Sequence, residues 1–263
     1  MLGKLIKYDL RNVYKPLIVF YSLGIFFSLL TRGFLAVEDS FIMNIIGKIC
    51  SGVTISMIAN ILINNIMGAW ARFRRNLYGD ESYLVHTLPA KRSEVYLAKS
   101  LAAVVTFVSS FAVILLTLFA AYYSKDNMEI LKNFLSTMAS GIDSTATAFA
   151  LILFAEVFVQ LLSTLFCGFA GIVLGHKMNS NKVVWSVVFG FGIYMATQTV
   201  ALGIFFIFAL FNPNIMNLFT SNTLVAADAV KELFVYAIPT YGIIGLATAT
   251  LGYIFFKKGV NVD

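Results

Sequence analysis

The sequence predicts an all-α membrane protein with six transmembrane helices. Of its 263 residues, 59% are hydrophobic and only 12% are charged, whereas soluble domains usually carry about 25% charged residues. Long apolar runs recur along the chain, and a bilayer core of roughly 30 Å requires about 20 such residues in a helix. A soluble protein of this length would need far more polar surface, so lipid is expected to surround most of the chain.

The N-terminal segment before the first apolar run is amphipathic. Its apolar residues fall near one face of a helix, and Lys4, Lys7 and Arg11 fall on other faces. This pattern is typical of a helix that lies in the headgroup layer. We therefore expect an interfacial elbow helix over residues 1–15, with Pro16 at a bend into the first span. The alternative is an ordinary basic flank before a transmembrane helix.

Six apolar runs are long enough to cross a bilayer. They cover residues 16–36, 41–71, 97–123, 146–174, 183–211 and 233–256. Together they predict a single transmembrane domain over residues 1–263, with one charged cytoplasmic loop over residues 72–96. The loop between spans three and four is long enough to contain a short helix of its own.

The distribution of basic residues predicts the orientation in the membrane. If the N-terminus lies in the cytoplasm, 14 of the 19 Lys and Arg residues fall on the cytoplasmic side. Cytoplasmic loops of membrane proteins carry an excess of Lys and Arg, so both termini are expected in the cytoplasm. The predicted location is the cytoplasmic (inner) membrane, with several passes through it. The basic residues flank apolar runs, which argues against nucleic acid as a partner despite the net charge of +6.

The loop of residues 72–96 contains a further helical signal, "YGDESYLVHTLP". Asp80 can cap the N-terminus of a helix, and Glu81 suits the first turn because it opposes the helix dipole. Pro89 disfavours helical geometry in the residue before it and so ends the helix. The spacing of Tyr83, Leu84 and Leu88 allows them to form one apolar patch. A short amphipathic helix here suits docking in a groove of a soluble partner, and a solvated loop with an interfacial turn is the alternative.

The stretch "RNLYGDESYLVHTLPAKRSEVYLAKSL" resembles the segment after the second span in ABC-2-type permeases, the membrane subunits of bacterial ATP-binding-cassette exporters. In many of these permeases it reads Y-G-D-E-x-Y-L-x-x-T-L-P and is followed by a basic pair. Position 82 is Ser here, where Gly is more frequent. The residues that match are Tyr78, Gly79, Asp80, Glu81, Tyr83, Leu84, Thr87, Leu88, Pro89 and Lys99. The elbow segment and the six-span layout extend the resemblance, less specifically, over the whole chain.

The resemblance implies a coupling helix between spans two and three that docks on an ATPase carried by a separate chain. It assigns ATPase coupling to Tyr78, Gly79, Asp80, Glu81, Tyr83, Leu84, His86 and Leu88. It also implies two ATPase subunits and a second permease, either an identical copy in a homodimer or a homologue. The chain has no G-x-x-x-x-G-K-[ST] motif, so ATP and Mg²⁺ are expected on the partner, with no cofactor in this chain.

No catalytic or metal-binding constellation is predicted, because the chain has only two histidines, and the protein is not expected to be an enzyme. Polar residues inside the spans are the other functional candidates, since such groups either hydrogen-bond between helices or line a polar path. The transport-path candidates are Asn60, Asn64, Glu156, Gln160, Tyr194 and Gln198. Helix packing alone is the alternative for each of them. Gly171 and Gly175 form a G-x-x-x-G motif that favours close packing within the subunit.

The nearest resemblance is to small exporters of amphipathic peptides, such as the permeases for bacteriocins and for phenol-soluble modulins of Gram-positive bacteria. The expected function is therefore export of amphipathic or hydrophobic peptides. Two alternatives stay open. One is an exporter of drugs or lipid-linked molecules, and the other is a non-transporting immunity or sensor protein that sequesters peptide.

Overall fold

The computed structural model describes residues 2–37, 40–79, 81–87, 89–140, 144–220 and 227–259. All regular secondary structure in these ranges is helical, as the sequence predicts. The helices are α1 (Leu2–Leu35), α2 (Phe41–Tyr78), α3 (Ser82–Thr87), α4 (Arg92–Tyr122), α5 (Lys125–Ser140), α6 (Ala146–Gly175), α7 (Lys182–Phe211), α8 (Pro213–Thr220) and α9 (Ala227–Lys257).

Six helices in the described part of the chain are long and apolar enough to cross a membrane. They are α1, α2, α4, α6, α7 and, within α9, Leu233–Lys257. The protein is therefore a multi-pass helical membrane protein, and the six-span prediction is confirmed. The short helix expected between spans three and four is also present, as the 16-residue α5.

Helix α1 runs through Pro16 as one helix, so the amphipathic segment and the first span are continuous. Proline has no N–H, so the carbonyl oxygen of Asn12, four residues earlier, loses its helical donor. The Nη2 atom of Arg72 in α2 donates a hydrogen bond to that oxygen at 3.0 Å. A basic side chain from another helix thus replaces the bond that the proline removes.

Helices α2 and α4 extend beyond the predicted spans, so the connection between them is shorter than the loop predicted over residues 72–96. The extension is stabilised by apolar side chains near the end of α2, where Phe73 and Leu77 are fully buried. The ring of Phe73 meets that of Tyr96 in α4 edge-on, with centroids 5.8 Å apart. Packing between the two helices therefore keeps both of them helical outside the apolar runs.

The chain folds into two compact units, Met1–Met128 and Glu129–Val262. In the first unit, α1 packs on α2 and α4, and α2 packs on α3 and α4. In the second unit, α6 packs on α7 and α9, and α8 contacts both α7 and α9. Each unit thus contains three of the six candidate spans, and each is described by itself below.

Helices α6 and α7 approach each other closely at the G-x-x-x-G motif. A Cβ atom on Gly171 would collide with the backbone of Gly190, and one on Gly175 would collide with the backbone of Ser186. The motif therefore provides helix packing within one chain, as the sequence favours.

Candidate functional site

A buried ion pair joins α1 to α4 in the first unit. The ammonium Nζ of Lys99 donates to Oδ1 of Asp9 at 2.8 Å, and each side chain is only 7% exposed. Lys99 belongs to the stretch that resembles ABC-2-type permeases, whereas the sequence analysis did not select Asp9. Charged hydrogen bonds of this kind are stronger and more directional than apolar contacts, so the pair fixes the N-terminal turns of α1 against α4.

Asn76, near the end of α2, connects this ion pair to the segment before α3. Its amide is oriented by the hydrogen-bond network. The nitrogen donates to Oε2 of Glu81 at 2.8 Å, and the oxygen accepts from Nζ of Lys99 at 3.0 Å. The resulting chain of contacts is Asp9–Lys99–Asn76–Glu81, which we call the anchoring network.

Gly79 forms the sharp connection between α2 and α3. Its N–H donates to the carbonyl oxygens of Arg74 and Arg75, both at 3.2 Å, and its own carbonyl accepts from the N–H of Ser82 at 2.8 Å. A Cβ atom at this position would lie 3.1 Å from the oxygen of Arg75, so a larger residue would crowd the turn. The preceding residue, Tyr78, is fully buried.

Helix α3 has a buried side and an exposed apolar side. Ser82 is buried, whereas Tyr83 is 75% exposed and Leu84 is 67% exposed. The exposed pair is the apolar surface that the sequence predicts for this helix. Asp80 and Leu88 lie outside the described residues, and His86 is described only as part of the α3 backbone.

Two of the transport-path candidates bond within their own helix. The amide nitrogen of Asn60 donates to the carbonyl of Ser56, and that of Asn64 donates to the carbonyl of Asn60, both at 2.9 Å. The neighbouring Asn65 is instead buried and donates to the backbone oxygen of Thr106 in α4 at 2.8 Å. The asparagine that joins two helices is therefore Asn65.

The other four candidates, Glu156, Gln160, Tyr194 and Gln198, are brought together in the second unit by a residue that the sequence analysis missed. Tyr241 of α9 donates its hydroxyl to Oε1 of Gln198 in α7 at 2.9 Å. The same hydroxyl makes a polar contact with Gln160 and lies within electrostatic range of Glu156 and Tyr194. We call these five residues the mid-span cluster. The sequence does not distinguish Tyr241 from other tyrosines in the apolar runs, because its partners lie on other helices.

Comparison of the chain with protein-family models, with curated proteins and with solved structures gives no match. Within the described residues, no group of three or more His, Cys, Asp or Glu side chains could hold a metal ion. A functional interpretation of the chain therefore depends on two observations. One is the resemblance of the α2–α3 connection to ABC-2-type permeases, and the other is the geometry of α3 and the anchoring network.

Proposed function

We propose that the chain is the permease subunit of an ATP-binding-cassette exporter that moves amphipathic or hydrophobic peptides out of the cell. A separate subunit would bind and hydrolyse ATP, and two permeases would assemble with two such ATPase subunits. The observation that carries the proposal is α3, a six-residue helix that presents Tyr83 and Leu84 outward next to the anchoring network. Two adjacent exposed apolar side chains outside the apolar runs are what we expect of a surface that a soluble partner covers.

The anchoring network supplies the mechanical part of the proposal. Glu81 precedes α3 directly and bonds to Asn76, which in turn contacts Lys99 and through it Asp9. A displacement of α3 by an ATPase subunit would therefore act on α1, α2 and α4 together. In this proposal the ATPase moves α3, and the buried charges transmit that movement to three spans.

The docking surface is tested by the double substitution Tyr83→Asp with Leu84→Asp. We expect the variant to insert into the membrane normally but to lose the ATPase during affinity purification from native membranes. Two carboxylates would have to enter an apolar groove, and a loss of about 3 kcal/mol already corresponds to a roughly hundredfold weaker complex. Two measurements are made on the purified material. ATP hydrolysis reports whether an active ATPase is present, and mass spectrometry identifies any co-purified subunit that contains a phosphate-binding loop.

A matched control is available on α5, where Ile130 and Phe134 are also exposed. Replacing both by Asp introduces the same charges and removes similar side chains at a site on the predicted external side. This control should retain the ATPase. A complex of normal yield and activity with the Tyr83 and Leu84 substitutions would place the contact elsewhere.

The proposed orientation is tested by cysteine labelling in a chain that lacks Cys50 and Cys167. Thr87 and Asn133 are suitable positions because both are exposed, on α3 and α5 respectively. On intact cells, an impermeant maleimide should label the thiol introduced by Asn133→Cys but not the thiol introduced by Thr87→Cys. The opposite pattern would reverse the orientation and would make cytoplasmic docking of α3 untenable.

A further inference from the structure

Glu156 is the unusual member of the mid-span cluster. It lies ten residues from the start of α6, about 15 Å along the helix axis, and therefore within the candidate span and away from its ends. The residue is only 8% exposed, and its Oε2 atom is buried without a hydrogen-bond partner. A carboxyl group at this depth requires a proton, a countercharge or water.

The second unit contains no countercharge of its own along the spans. Helix α6 has no Lys or Arg. The only such residue of α7 is its first, Lys182, and the only one in the Leu233–Lys257 part of α9 is its last, Lys257. Tyr241, whose hydroxyl lies within electrostatic range of Glu156, is an uncharged group, and so are Gln160 and Gln198, which that hydroxyl contacts. An ionised Glu156 would therefore pair with a cation from outside the unit.

The cluster has suitable groups for such a cation. The hydroxyl oxygens of Tyr194 and Tyr241 and the amide oxygens of Gln160 and Gln198 can accept hydrogen bonds, and an ammonium group has three donors. Aromatic rings also attract cations. Gln160, Tyr194 and Gln198 are only partly buried, so the buried carboxyl group is bordered by accessible polar side chains.

The polar character continues along the face of α6 that packs on α7 and α9. Glu156, Gln160, Ser163 and Cys167 recur at spacings of four, three and four residues, which places them on one helix face. The Sγ atom of Cys167 lies 3.9 Å from Oγ1 of Thr197 in α7, and Ser163 lies next to Gly245 in α9. Apolar side chains such as Val159 and Phe205 pack beside Tyr241. Polar and apolar side chains therefore lie side by side where these helices pack, as the headgroup and the tail of an amphiphile would require.

We propose that the mid-span cluster is a binding site for an organic ammonium group carried on an apolar chain, with the Glu156 carboxylate as its countercharge. The same chemistry is found in an alkylammonium and in a lysine side chain or free N-terminus of an amphipathic peptide. The inference extends the proposed function by naming the chemistry of the cargo. Its test uses the chain of 263 residues without any ATPase, so that its outcome is independent of the docking experiment.

The test is a fluorescence titration of the chain in phosphatidylcholine nanodiscs with two matched probes. One is a dansylated twelve-carbon chain that ends in a primary ammonium group, and the other has a hydroxyl group in its place. After correction for partitioning into empty nanodiscs, the ammonium probe should bind the unmodified chain at least about tenfold more tightly, which corresponds to one charge-assisted contact. Equal binding of the two probes by the unmodified chain would overturn the proposal without any variant.

Variants then locate the site. Glu156→Gln, which keeps the size of the side chain, should remove the difference between the two probes, and Tyr241→Phe should reduce it. Glu129→Gln, an exposed carboxylate of α5, should leave it unchanged. Retention of the full difference by a folded Glu156→Gln variant would contradict the assignment.

A competition experiment distinguishes a peptide ligand from a small amphiphile. Displacement of the ammonium probe by a lysine-containing amphipathic peptide, but not by its acetylated form, identifies a peptide. Displacement by free dodecylammonium alone identifies a small amphiphile.

Discussion

Replacement of Lys99 by methionine is expected to lower the free energy of unfolding of the first unit by about 3–5 kcal/mol, the cost of removing one member of a buried ion pair. Asp9 would lose its ammonium partner at 2.8 Å, and the Asn76 oxygen would lose its donor at 3.0 Å. The carboxylate of Asp9 would then be buried without its hydrogen-bonded partner, and Arg72 would be a nearby positive charge that remains. Thermal unfolding of the chain in detergent, followed by circular dichroism, measures the effect.

The double variant Asp9→Asn with Lys99→Met separates the loss of the pair from the burial of a lone charge. It should be more stable than Lys99→Met alone, because no buried carboxylate is left without its ammonium partner. Lys91→Met is the matched control, since Lys91 is exposed next to the start of α4, and its effect should stay within about 0.5 kcal/mol. Equal stability of Lys99→Met and Lys91→Met would show that the buried pair contributes nothing to the fold.

The substitution Gly175→Ala is expected to disrupt the contact between α6 and α7. Its Cβ atom would collide with the backbone nitrogen and Cα of Ser186, and backbone atoms cannot move aside without separating the helices. The expected loss is about 1–3 kcal/mol, the usual cost of overpacking. The contact between the Ser186 hydroxyl and Nδ1 of His176, 3.2 Å long, would be weakened as well. Resistance to limited proteolysis in the loop between α6 and α7 reports the change.

Gly192→Ala in α7 is the control for this substitution, because a Cβ atom there would meet no other atom within 4 Å. Alanine favours the helix over glycine by up to about 1 kcal/mol, so this variant should be as stable as the unmodified chain or slightly more stable. If the two alanine variants behaved alike, the close approach of α6 and α7 would not limit stability.

Predictions from local pattern agree with the structure where the physical cause is local. The sixth span, for example, follows from a run of apolar residues that must match the bilayer, and Leu233–Lys257 has this property whatever surrounds it. Helix α3 follows from a glycine turn and a proline stop within one short stretch. Local pattern does not reveal how the helix continues through Pro16, because the side chain that satisfies the freed carbonyl comes from Arg72, 60 positions away.

The sequence by itself determined the all-helical class, the six spans and the existence of α3, since each depends on residues that are neighbours along the chain. Only the tertiary structure decided which polar residues act together. The partners of the anchoring ion pair are 90 positions apart, and Tyr241 is 43 positions from Gln198. In an apolar helix a polar side chain must find a partner on another helix, and the identity of that partner depends on how the helices pack, which composition and periodicity do not specify.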